Sequence, residues 1–160
     1  MKEVILIIGG NMGDRTGFLT EAKSKLKHNL GEIKKMSSMY ETQAWGDKSN
    51  GDYLNQVLIL QTEYEPEEVL EIALKVEKEL GRERDVKWGN RTMDIDILYF
   101  GEKIINKPNL ILPHPYIAER RFVLVPLDEI LPDFIHPIFN LTNKELLDRC
   151  TDACKVTRVK

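Results

Sequence analysis

Cysteine is nearly missing from these 160 residues, and the two present, Cys150 and Cys154, stand four apart near the end. A disulfide framework or a four-ligand zinc site needs more than that. Both read as ordinary thiols on a C-terminal helix. An excess of positive charge is missing too: 23 basic residues against 26 acidic leave a net charge of −3. That balance gives no electrostatic reason to expect nucleic acid as a partner. No apolar run is long enough to span a bilayer, and Lys2-Glu3 ahead of a short strand does not read as a signal peptide. The expectation is a cytoplasmic domain with no membrane partner. Repeats, low-complexity tracts and linkers are also absent, so residues 1–160 are expected to form a single domain. What is there, 42% hydrophobic and 31% charged residues, suits one domain with a core of its own.

Hydrophobic periodicity orders that domain. Glu3–Ile8 reads as a buried strand ending in Gly9-Gly10. Asp14 to Leu30 reads as a helix, with Phe18, Leu19, Ala22, Leu26 and Leu30 at helical spacing and Gly31 as its stop. Ile33–Thr42 and Tyr53–Thr62 read as strands. Glu65–Leu80 is a second helix, opened by Pro66 and closed by Gly81. Met93–Phe100 is the next strand. The order β-α-β-β-α-β predicts an α+β, ferredoxin-like sandwich with an antiparallel sheet and both helices on one face. A short strand near Ile104 and two helices, Phe122–Ile130 and Asn143–Cys150, follow. Two connections, Gln43–Asp52 and Gly81–Thr92, are long for such a sandwich and read as binding loops over the other, open sheet face.

Met93–Phe100 raises the chemical question. In MDIDILYF the two aspartates fall on alternate positions, so Asp94 and Asp96 share a face with Leu98 and Phe100. Their α-carbons lie roughly 6.5–7 Å apart in an ideal strand. Two like charges there are unfavourable unless a cation sits between them. Mg²⁺ suits the pair, because it takes one or two carboxylates and completes its shell with water and phosphate oxygens. The alternative is a strand end reaching solvent with two exposed carboxylates. The neighbouring loop carries Arg82, Arg84, Lys87 and Arg91, whose guanidinium groups suit phosphate.

Other candidates are less sharp. Glu77 falls inside the apolar arc of the second helix, where a carboxylate must be paired or functional. A salt bridge to a nearby arginine is the alternative. Tyr53, Asn55 and Val57 share a strand face, with Trp88 and Phe122 on or near the surrounding loops. Aromatic planes around an amide suit a flat heterocycle, though Tyr53 and Phe122 could equally be core. His114 in Leu-Pro-His-Pro is either a phosphate donor or part of a stiff turn. GGNMGD, Gly9–Asp14, follows a strand and precedes a helix but lacks the Gly-x-Gly-x-x-Gly spacing of a dinucleotide site.

Together these segments resemble the 6-hydroxymethyl-7,8-dihydropterin pyrophosphokinase family along essentially the whole chain. KWGNRTMDIDIL is similar to the family signature of a basic residue, Gly, a small residue or Pro, Arg, and then Asp-x-Asp. GGNMGD, SSMYET, DYLNQV, LGRERD and LPHPYIAERRFVLVPL appear in the family's order. The resemblance implies diphosphate transfer from ATP, as co-substrate, to the pterin hydroxymethyl group, giving AMP, by a monomer with no nucleic-acid partner. It implies that Asp94 and Asp96 hold two Mg²⁺ ions, that Arg82 and Arg91 act from a catalytic loop, and that Trp88 closes over both substrates. Glu77, Arg84, Ile97, His114 and Arg120 match ATP-contacting positions. Tyr53 and Phe122 match the pair that sandwiches the pterin, with Thr42, Ala44 and Asn55 around its edge. Ala44 stands where proline is frequent, Asn90 where Pro, Ala or Ser is usual, and Asn109 and Ile111 where some members have Arg and Thr. The rival classes are a non-catalytic ferredoxin-like RNA- or ligand-binding module and a Mg²⁺-dependent nuclease or γ-phosphate kinase.

Overall fold

A computed structural model describes residues 1–43, 52–81 and 92–159. The calls on Ala44, Arg82, Arg84, Lys87, Trp88, Asn90 and Arg91 lie outside them. In chain order the elements are β1 (Lys2–Gly10), α1 (Arg15–Asn29), β2 (Ile33–Met36), β3 (Tyr40–Thr42), β4 (Tyr53–Thr62), α2 (Pro66–Glu79), β5 (Asp94–Phe100), β6 (Ile105–Lys107), β7 (Leu110–Leu112), α3 (Arg121–Ile130), α4 (Asn143–Arg149) and β8 (Val156–Arg158). The main sheet runs β5-β1-β4-β3-β8, with β2 also on β4, and its pairings are antiparallel. This is the ferredoxin-like order, with two split β-α-β units interleaved.

GGNMGD has a local explanation. It leaves a strand flanked by antiparallel neighbours, and Asp14 caps α1 by accepting the Gly17 N–H at 3.0 Å. That is a helix cap rather than a dinucleotide cradle.

The sheet buries both faces. Val4, Leu6, Ile8, Leu58 and Leu60 pack against Leu19, Leu26, Val69 and Val76 of α1 and α2. Ile5, Ile7, Val57 and Ile59 pack on the other face against Val123, Leu124 and Leu127 of α3 and Leu146 of α4. The expectation of a face covered only by loops is therefore wrong. The C-terminal helices, too short to signal where they would dock, roof much of it.

Four local readings change as well. Ile33–Thr42 is two strands, because Met36 pairs with Leu58 and Tyr40 with Asn55, four residues opposing three. Ser37 fills the break: its Oγ accepts the Val57 N–H at 3.0 Å and its N–H donates to Val57 O at 2.9 Å. In β5 a bulge shifts the register between Ile5–Tyr99 and Leu6–Ile97. An extra residue in a strand reverses the facing of those beyond it, so Leu98 stays with the α3 face while Phe100 joins the α1–α2 core. Phe100 does not share the aspartates' face. The strand near Ile104 is the first half of a hairpin, β6–β7. Finally, α4 ends at Arg149, which leaves Cys154 beyond the helix.

Candidate active site

Register brings the site together. Gly9 of β1 lies opposite Asn55 on one side and Asp94 on the other, and Ile7 lies opposite Val57 and Asp96. Tyr40 extends the first of these rows beyond Asn55, and Thr42 pairs with Tyr53. These positions share one sheet face, and here the α3 roof ends. Gly9 makes the arrangement possible: a Cβ built on it would meet Asn55 Oδ1 at 2.0 Å and Leu54 O at 2.5 Å. The Asn55 carboxamide lies where a larger residue's side chain would stand.

The cleft at this point holds about 440 Å³ and is lined by Thr42, Tyr53, Asn55, Asp94, Asp96 and Phe122, with Ile7, Gln43, Glu119, Arg120 and Asp152. Thr42 is 3% exposed, and its hydroxyl has no hydrogen-bond partner among the described residues. A buried hydroxyl without a partner is costly, so a donor or acceptor entering the cleft would relieve it. Phe122 comes from the first turn of α3. The far end of that helix is tied to β3 through Glu129, which accepts from Ser38 N, Ser38 Oγ and Tyr40 Oη at 2.8–2.9 Å.

A second, shallower cleft of about 260 Å³ opens along the β5 edge. Leu70, Ile95, Asp96, Ile97, Pro108, Asn109, Leu110, Ile111, His114 and Pro115 line it. Asp96 is common to the two clefts, and the β5 bulge leaves both aspartates on the cleft face. Asp94 is half-buried and Asp96 exposed, so neither carboxylate carries a full desolvation cost. Among the described residues no group of three or more His, Cys, Asp or Glu side chains could hold a metal ion. Two hard oxygen donors at the mouth of two clefts fit Mg²⁺, which needs few protein ligands when phosphate supplies the rest.

The flanking groups are held in place. Glu77 is 3% exposed, and its Oε2 accepts the Ile95 N–H at 2.6 Å. A carboxylate from α2 therefore satisfies the edge-strand donor between the two aspartates. The His114 N–H donates to Leu98 O at 2.9 Å, and its Nδ1 accepts the Tyr116 N–H at 3.2 Å. Burial, and secondarily Arg120, push the imidazole down to about 4. At neutral pH the ring is uncharged, with Nε2–H as its donor. The Arg120 guanidinium lies 4.9 Å from the Tyr116 ring centre and 5.8 Å from that of Phe122, so it stands between the His114 and Phe122 regions.

Thr42, Tyr53, Asn55 and Phe122 thus fall together in the larger cleft, as do Ile97 and His114 in the smaller, with Asp96 in both. Arg120, matched to an ATP position, lines the larger one. Ile7, Gln43, Glu119 and Asp152 were not anticipated. Ile7 was readable as the residue two before Gly9 on the same face, whereas nothing in the sequence announces Asp152.

Residues 5–132 match the model of the family described as 7,8-dihydro-6-hydroxymethylpterin-pyrophosphokinase. A relative from Aquifex aeolicus, named 2-amino-4-hydroxy-6-hydroxymethyldihydropteridine pyrophosphokinase, is 44% identical over 91% of this chain and 90% of its own. One of the same name from Bacillus subtilis is 43% identical over 78% of this chain and 75% of its own. A solved Plasmodium falciparum HPPK-DHPS structure superposes with a TM-score of 0.72 at 16% identity, covering 93% of this chain but only 43% of that one. At that identity the likeness speaks to the fold alone, and this chain spans less than half of the solved one. The register-built clefts and the close relatives agree: the chain belongs to the 7,8-dihydro-6-hydroxymethylpterin-pyrophosphokinase family.

Proposed function

We propose that Asp94 and Asp96 hold two Mg²⁺ ions at the junction of a pterin cleft and a nucleotide cleft, and that this junction is where the enzyme works. The chain is an ATP-dependent diphosphotransferase. It moves diphosphate from ATP to 6-hydroxymethyl-7,8-dihydropterin, giving AMP and the pterin diphosphate, in folate biosynthesis. The observation that carries the site reading is that Asp96 lines both clefts. Acceptor oxygen and donor phosphate would meet there.

In this reading Tyr53 and Phe122 stack on the pterin ring, while Asn55 and the buried Thr42 hydroxyl read its edge. Ile97 packs against the adenine, and the His114 Nε2–H donates to a phosphate oxygen. Glu77 fixes Ile95 and thereby the direction of both aspartates. Arg82, Arg84 and Arg91 would stabilise the phosphates, Arg120 would reach them from the Phe122 side, and Trp88 and Ala44 would complete the pterin enclosure. Mg²⁺, when bound, would neutralise phosphate charge and orient the in-line displacement. The residues themselves chiefly position the two substrates. We place this activity in one domain spanning 1–160, acting as a monomer in the cytoplasm, where ATP is available, with no nucleic-acid or membrane partner. No helix among the described residues is long and apolar enough to cross a membrane.

Product analysis tests this reading. Protein, Mg²⁺, ATP and the hydroxymethyl-dihydropterin should yield AMP and pterin diphosphate one to one. ADP with a pterin monophosphate would overturn it in favour of γ-transfer.

A further inference from the structure

Phe122 stands in the first turn of α3, where a helix leaves backbone N–H groups without intrahelical partners. Arg120 at the cap position makes no side-chain capping bond, and arginine is not among the residues that favour it. The Arg121 N–H donates instead to Asp152 Oδ2 at 3.0 Å, 31 residues along the chain. The other oxygen, Oδ1, accepts the Cys154 N–H at 3.0 Å. Both carboxylate oxygens are engaged, which fixes the rotamer, and a negative charge at a helix start also suits the helix dipole. Asp152 is therefore the cap that α3 lacks locally.

The same stretch then reaches the other wall of the cleft. The Gln43 N–H donates to Lys155 O at 3.4 Å, Cys154 Sγ lies 3.8 Å from Gln43 O, and Val156 pairs with Thr42 where β8 joins β3. Asp152 itself lines the cleft beside Phe122. Five residues thus connect the wall carrying Phe122 with the wall carrying Thr42 and Gln43, and they lie outside the stretch matched to the family model.

We infer that Asp152–Val156 is a strap that sets the separation of the two walls of the pterin cleft, with Asp152 the positioning residue that holds Phe122 in place. This rests on the larger cleft being the pterin half-site. Glu129 anchors the far end of α3, and without Asp152 the first turn would have to be ordered again each time a pterin bound.

Steady-state kinetics of Asp152→Ala, Asp152→Asn, Phe122→Ala and the double variant Asp152→Ala/Phe122→Ala test it. Asp152→Ala should raise the apparent KM for the pterin about tenfold, the scale of losing one helix cap. The KM for ATP should change by less than about twofold. Asp152→Asn keeps one acceptor oxygen and should recover part of the loss. In the Phe122→Ala background Asp152→Ala should add little, because the two act as one unit. Equal rises in both KM values, or a full Asp152→Ala effect without Phe122, would overturn the strap. If Phe122→Ala leaves the pterin KM unchanged, the cleft reading itself falls, and the strap with it. If Phe122→Ala raises it and Asp152→Ala does not, only the strap falls. Should Asp152→Ala fail to fold, Asp152→Asn still requires a pterin-selective rise, and its absence overturns the strap.

Discussion

The two clefts that meet at Asp96 are built differently. The larger draws side chains from β1, β3, β4, β5, α3 and the C-terminal strap, and combines two aromatic rings with an amide and a buried hydroxyl. The smaller follows one sheet edge and the β6–β7 hairpin, and its lining is mostly aliphatic and proline. A cleft assembled from six elements can enforce the shape and edge pattern of one planar substrate, but it depends on all six being in place. A shallower cleft lined mostly by aliphatic side chains and proline has fewer polar groups to lose and should tolerate substitution better. Selectivity for the acceptor should therefore be concentrated in side chains, and the grip on the nucleotide spread more widely.

The largest effect should come where the clefts join. Asp96→Ala and Asp94→Ala should abolish measurable turnover, since each would remove one of the two oxygen ligands proposed for Mg²⁺ at the junction. Near-normal activity in Mg²⁺ would remove the junction from the account.

Next comes the aromatic wall. Phe122→Ala should raise the pterin KM by about tenfold or more, from lost stacking and apolar contact, with the ATP KM nearly unchanged. A rise confined to ATP would exchange the identities of the clefts.

His114 should act mainly through pH. Its folded-state pKa is lowered from 6.5 to about 4, by burial first and then Arg120. The unfolded chain therefore takes up the proton first as pH falls. Stability should be flat above pH 6.5 on account of this group and should decline between 6.5 and about 4. Chemical denaturation at pH 7 and pH 5 should show a smaller decline for His114→Gln than for the wild type. The same slope in both would mean that the ring is not held neutral.

The smallest effect should come from the hairpin's outer anchor. Lys107 pairs with Glu67 at an exposed site, and such pairs contribute about 0–1 kcal/mol. Lys107→Ala should lower stability by less than about 1 kcal/mol and change the ATP KM by less than about twofold. A large ATP-selective loss would mean that the smaller cleft depends on single contacts after all.

The sequence announced the framework of both clefts through patterns that physics keeps local. Alternation in MDIDIL placed the aspartates, and the helical arc of α2 singled out Glu77, whose Oε2 accepts the Ile95 N–H. What alternation could not show was the β5 bulge, because an extra residue leaves no mark on composition, so Phe100 was assigned to the wrong face. The split of Ile33–Thr42 at Ser37 was hidden for the same reason. Tyr53 and Phe122 were ambiguous because an aromatic residue at strand or helix spacing suits a core as well as a cleft, and only the place where α3 stops decides between them. Asp152 is the limiting case. Its role depends on a helix start 31 residues away, a contact of tertiary structure with no local signature.

The most direct measurement is amide chemical-shift mapping of each substrate separately, using the pterin alone and then Mg²⁺ with a nonhydrolysable ATP analogue. The pterin should shift Thr42, Tyr53, Asn55 and Phe122 and leave Ile97 and His114 in place. The nucleotide should shift Ile97 and His114 and leave Thr42 and Tyr53 in place, and Asp96 should respond to both. A pterin that maps to the β6–β7 side, or an Asp96 amide that responds to neither, would contradict a junction of two half-sites at Asp96.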